Sequence, residues 1–130
     1  MTGGGEGLPP LKAKVALIEC SGYDDGLVVS ALRRGIDLLG GMGRFASPGE
    51  RILLKPNLLT GAAPEKCVTT HPSLLKAMGR LCLENNARVS FGDSPGFGSA
   101  TAAAVKSGLA AAAREIGMEQ ADFGTAVQVS

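Results

Sequence analysis

The chain alternates short apolar runs with stretches in which apolar residues recur at helical spacing. Residues 14–20 read K-V-A-L-I-E-C, a β-branched run that predicts a strand buried on both faces. Asp24 and Asp25 then stand where a helix cap and first turn favour acids, and Leu27, Val28, Ala31, Leu32, Ile36 and Leu39 mark one helix face over 26–39. Gly40-Gly41 closes that helix, and Ser47-Pro48-Gly49-Glu50 is a turn. Residues 51–55, R-I-L-L-K, predict a second strand, which Pro56 must stop. Residues 57–70 have no period, an unusual length for a connection whose median is about 4–6 residues. His71-Pro72 opens a second helix with Leu74, Leu75, Met78, Leu81 and Cys82 on its apolar face, closed by Asn85-Asn86. Residues 87–91 predict a third strand and 92–98 a tight loop. An Ala-rich helix runs from a cap at Ser99 or Thr101 to about Ile116 and ends at Gly117. Strand-like residues 118–123 and 126–129 flank Gly124-Thr125, which fits a type II′ hairpin.

Strand and helix in alternation imply right-handed crossovers and a parallel sheet. The expected fold class is therefore α/β: three layers, a mostly parallel sheet with helices on both faces, Rossmann-like, with an incomplete domain ending in a terminal hairpin as one form of it. Residues 1–12 read as a flexible leader and 13–130 as a single domain forming the N-terminal portion of a longer protein.

Composition narrows the function. Thirteen basic and 12 acidic side chains leave a charge of +1, and aromatics are only 4%. Neither nucleic acid nor an anionic membrane surface is an expected partner. No apolar run is long enough to span a bilayer. The three cysteines, Cys20, Cys67 and Cys82, have no C-x-x-C spacing, so no metal or cluster site is expected within the chain, and their sparse, odd count suits a cytoplasmic protein. Glycine is abundant, 19 residues without a collagen period, and must mark turns and close backbone approaches.

In an open parallel sheet, ligands bind outside the carboxyl ends of the strands. The distinctive polar residues fall there: Glu19-Cys20-Ser21, Lys55-Pro56-Asn57, Thr69-Thr70-His71, and Gly92-Asp93-Ser94. Gly96, Gly98 and a helix start at Ser99 would let backbone N–H groups approach phosphate or carboxylate. Equally, they would serve as a plain strand-to-helix turn. Lys55 would add a fixed cation, or simply pack its stem and reach water. Asn57 and Ser94 would contact the ligand or shape their loops. His71, the only histidine, is a candidate acid–base group, a metal ligand or a structural cap. Asp93 would bind a metal, orient His71, accept from a ligand hydroxyl, or close an Asx-turn; one His with one Asp is too few ligands for a metal site by themselves. The string G-D-S-P-G is not a nucleophile elbow, and G-F-G interrupted by Pro95 is not a dinucleotide fingerprint. Asp122 lies at the spacing of a ribose-binding acid, which carries little weight without that fingerprint.

The ordered strings K-V-A-L-I-E-C-S-G-Y-D-D-G-L, L-L-K-P-N-L-L, V-T-T-H-P and G-D-S-P-G-F-G-S resemble the family known as domain of unknown function 362, from about Lys14 to Phe123. Members are typically longer, and many carry a C-terminal ferredoxin-like segment with clustered cysteines. The resemblance implies that any [4Fe–4S] cofactor belongs to a C-terminal segment absent here and that none is held within this chain. It singles out Lys55, Asn57, Thr70, His71, Asp93, Ser94 and Gly96 as the site. The expectation is a module binding a small anionic ligand in an iron–sulfur-associated protein. The alternative is a docking or scaffold domain for that missing part, or one that self-associates. The motifs specify no reaction.

Overall fold

A computed structural model describes residues 12–129. Its order is α1 (Asp25–Leu38), β1 (Arg51–Leu54), α2 (Pro72–Glu84), β2 (Arg88–Phe91), α3 (Ala100–Lys106), α4 (Leu109–Glu115) and β3 (Glu119–Gln120), with short 3₁₀ turns at Met42–Arg44 and Pro64–Lys66. The three strands form one parallel sheet in the order β1-β2-β3, with Arg51 beside Arg88 and Leu54 beside Phe91, and Ser90 beside Glu119. The fold is a small α/β unit with helices around a parallel sheet.

Pleating sends Ile52, Leu54, Val89 and Phe91 to one face. There they meet Leu58, Leu75, Ala103, Leu109, Ala113 and Met118, with Cys82 and Met78 closing the core beside Ile52. On the opposite face Leu53 is half exposed and Arg51 and Arg88 reach solvent. Small residues let the layers approach. A Cβ on Gly79 would lie 2.6 Å from Ile116, and one on Gly61 would collide with the Ala103 backbone, so the long loop is clasped against α3.

Each helix starts for a local reason. Asp24 accepts from the N–H groups of Gly26 and Leu27, His71 caps α2 ahead of Pro72, and Ser99 accepts from Ala102 N at 3.1 Å. Lys76 on α2 lies 2.5 Å from Asp25 of α1 and 2.7 Å from Glu115 of α4, so a single ammonium joins three helices.

Three local expectations are corrected. The Ala-rich helix is two helices: Gly108, at φ +78°, caps α4 in a left-handed conformation, and the buried Ser107 hydroxyl donates to Ala104 O. The C-terminal hairpin does not form. Residues 118–123 supply only the short parallel β3, residues 126–129 are not strand, and Asp122 Oδ1 instead closes a turn by accepting from the N–H groups of Gly124 and Thr125. Residues 12–20 carry no regular structure and join no ladder among the described residues, and Val15 and Leu17 are 88% and 95% exposed. Of the expected leader, residues 1–11 lie outside the described residues.

Candidate functional site

The chain leaves β1 at Leu54, and Pro56 forbids further ladder pairing, so Lys55 projects at the carboxyl end of the strand. Beside it β2 ends at Phe91 and delivers Asp93, which is 5% exposed. Lys55 Nζ stands 2.6 Å from Asp93 Oδ1, and Leu58 N donates to Asp93 Oδ2 at 3.1 Å. Burial pushes the Asp93 carboxyl up. The Lys55 ammonium and the N–H groups of Leu58 and Ser94 outweigh it and hold the carboxyl below its ordinary value. The lysine side chain stays 65% exposed, so its ammonium is anchored from behind and open to solvent in front.

The long loop is built onto this rim. Asn57 N donates to Thr70 Oγ1 at 2.9 Å, Thr70 N returns a bond to Asn57 O, and Asn57 Nδ2 donates to Val68 O. Two aperiodic segments are thereby pinned at their base, and the Asn57 amide nitrogen is occupied in doing it. His71 follows directly. Its Nδ1 accepts from Ser73 N at 3.2 Å and lies 2.8 Å from Ser73 Oγ, and its ring stacks on Tyr23 at 3.9 Å between centroids and 14° between planes. The glycine loop closes the third side: Gly96 N donates to Leu59 O at 2.7 Å, while Gly98 adopts φ +76°.

The sequence-derived site therefore separates into linked parts. Lys55, Asp93 and the loop carrying Asn57, Thr70 and His71 meet at one rim. Asp93 bonds Lys55, Leu58 and Ser94 and not His71, so the expected pairing of that acid with the imidazole is corrected. Ser94, Gly98 and Ser99 line an adjacent cleft of about 530 Å³ with Thr101, Gln120 and Asp122. Asp122 is the only charged residue of that lining. Its carboxyl is held below the usual range by the Thr125 hydroxyl and the N–H groups of Gly124 and Thr125. Sequence reasoning missed Tyr23 as a partner of His71; its one signal was being the sole tyrosine, placed just before the α1 cap. Leu58 was missed because its contribution is a backbone N–H.

The cysteines do not converge: Cys20 and Cys67 are exposed, and Cys82 is buried, which pushes its thiol up. Among the described residues no three His, Cys, Asp or Glu side chains are grouped to hold a metal ion. Among them, too, no helix is long and apolar enough to cross a membrane.

Residues 52–130 match the family described as Domain of unknown function (DUF362). The matched span holds the candidate residues from Lys55 to Ser99 and leaves residues 14–20 and α1 outside, a narrower extent than the motif strings imply. The chain is also similar to a thylakoid-associated protein of Synechocystis sp. (strain ATCC 27184 / PCC 6803 / Kazusa), at 43% identity over 94 residues, 72% of this chain and 29% of that protein. It thus spans under a third of the relative's length. No solved structure matches the chain.

Proposed function

The chain belongs to the DUF362 family, and from that premise we propose that it is a ligand-binding module whose rim at the carboxyl ends of β1 and β2 holds a small anionic group. The observation that carries this is the Lys55–Asp93 pair: a buried carboxylate fixes an ammonium whose outer face is free. An ammonium held in one place spares the entropy of ordering a mobile lysine on binding. Thr70 and Ser94 would add hydroxyls, and Gly98 with Ser99 would admit the rest of the ligand to the adjacent cleft. Because the only charge in the cleft lining is the Asp122 carboxylate, the anionic group belongs at Lys55 and the neutral part of the ligand in the cleft. His71 would act as a donor or acceptor at the border of the rim.

Titration with inorganic phosphate, nucleotides and small carboxylates tests this, followed by heat and by amide NMR shifts at residues 92–100. Binding that weakens about tenfold in Lys55→Gln, a loss of about 1.4 kcal/mol, is expected. No heat and no shifts with any of the ligands would remove the proposal.

The whole protein's role goes further than the rim. In this reading any [4Fe–4S] cluster sits on sequence other than this chain's, and the module is part of a redox-associated cytoplasmic protein. The name of the similar cyanobacterial protein adds association with thylakoids as a location to examine by membrane fractionation. A docking role for such further sequence, or for a second copy, is the second reading. It is favoured by the half-exposed Leu53 and the one-sided pairing of β1.

A further inference from the structure

A second cavity lies away from the rim. It is an apolar groove of about 670 Å³ under α1, walled by Val28, Ala31, Ile36 and Leu39 on one side and by Ala16 and Ile18 on the other, with Leu74 and Met78 of α2 at its floor. Met78 and Ile52 of β1 both pack against the buried Ala46, Cys82 and Ala87, so the groove abuts the sheet. Two sets of unmet backbone groups flank it. Among the described residues β1 pairs only with β2, which leaves its other edge open there. Residues 12–20 make no backbone–backbone hydrogen bond among the described residues; Glu19 O accepts only from Arg34 Nη2.

The topology says what belongs between them. From β1 through α2 to β2, and from β2 through α3 and α4 to β3, the chain moves one place along the sheet in the same sense. α2 packs against both α1 and α4. Repeating the step backwards puts the segment before α1 at the open edge of β1, parallel to it and beneath α1. That segment is the β-branched run V-A-L-I-E, whose Ala16 and Ile18 already face α1 near Gly35 while Val15 and Leu17 stand in solvent. An open edge beside an exposed apolar strand former is a state that proteins otherwise guard against.

We propose that residues 14–20 are a strap that closes onto β1 as a fourth parallel strand. Closing hinges at Ser21-Gly22, where a Cβ on Gly22 would meet nothing within 4 Å. It fills the groove under α1 and brings Cys20 and Ser21 to the rim beside Lys55, next to Tyr23 on His71. The strap stands on topology and unmet hydrogen bonds and does not need the anion site.

The full chain, labelled with ¹⁵N, gives the test. Alternate amides of residues 14–20 are expected to exchange at least about 100-fold more slowly than an unstructured peptide and to show NOEs to β1. Ile18→Asp, which puts a charge into the groove, is expected to abolish that protection while the β1–β2 ladder stays slow. Free exchange throughout 14–20 in the unmodified chain, or protection that survives Ile18→Asp, overturns the proposal. So does protection that appears only in a dimer by sedimentation, because a second copy would then fill the slot.

Discussion

Replacing Asp93 by Asn keeps the outline of the side chain and removes its charge. Lys55 then loses its anchor, and Leu58 N–H keeps a weaker acceptor. Asp93→Ala goes further, leaving a buried N–H without a partner, at a cost of about 1–3 kcal/mol. Chemical denaturation is expected to rank the wild type above Asp93→Asn above Asp93→Ala. The same carboxylate sets an acid limit. Its folded-state pKa lies below the unfolded value of about 3.9, so its stabilising effect is present above that value and is lost as pH falls through the folded one. The melting temperature of the wild type should therefore fall more steeply below about pH 4 than that of Asp93→Asn. A parallel loss in both proteins would assign the acid sensitivity elsewhere.

Among the elements, the helices were the most legible. Asp24, His71-Pro72 and Ser99 are start signals that act within one turn, and each caps the helix the sequence expects. The break at Gly108 was not legible, because alanines on both sides satisfy one long helix. It is set by a left-handed glycine beside Pro72, where a Cβ would come within 3.2 Å of the proline ring. Gly108→Ala is expected to cost about 1–2 kcal/mol through its positive φ alone, read as a lower melting temperature with unchanged far-ultraviolet circular dichroism. Strands were half legible. Residues 51–54 and 88–91 pair as their patterns predict, because Pro56 and the glycine loop stop them sharply. Residues 118–123 carry strand propensity, but Asp122 draws the next two N–H groups into a turn.

At the scale of the molecule, Lys76 joins α1, α2 and α4, and nothing in its local sequence says so, because its partners are 51 residues before and 39 after it. The candidate rim shows the same limit. That Lys55, Thr70 and Asp93 share one end of the sheet follows from strand order. That Asp93 turns to Lys55 and not to His71 depends on loop packing no pattern encodes. The carboxylates of Asp25 and Glu115 raise the Lys76 pKa, so its contribution is present below the unfolded value of about 10.4 and is lost as pH rises through the folded one. Lys76→Met should therefore remove an alkaline transition and lower stability at neutral pH by about 1 kcal/mol, since both partners are partly in water. Guanidinium titrations at pH 7 and pH 11 would measure both effects.

The clasp of Gly61 against Ala103 divides the long loop into two regions with different freedom to evolve. Upstream of the clasp Leu58 is fully buried and its N–H is held by Asp93, so an added residue would pull both out of place. Beyond it, around Glu65 and Lys66, the chain is exposed. An epitope tag spliced there should leave the protein folded, whereas the same tag beside Gly61 should unfold it; lineages that lengthen this connection would have to do so on its outer half.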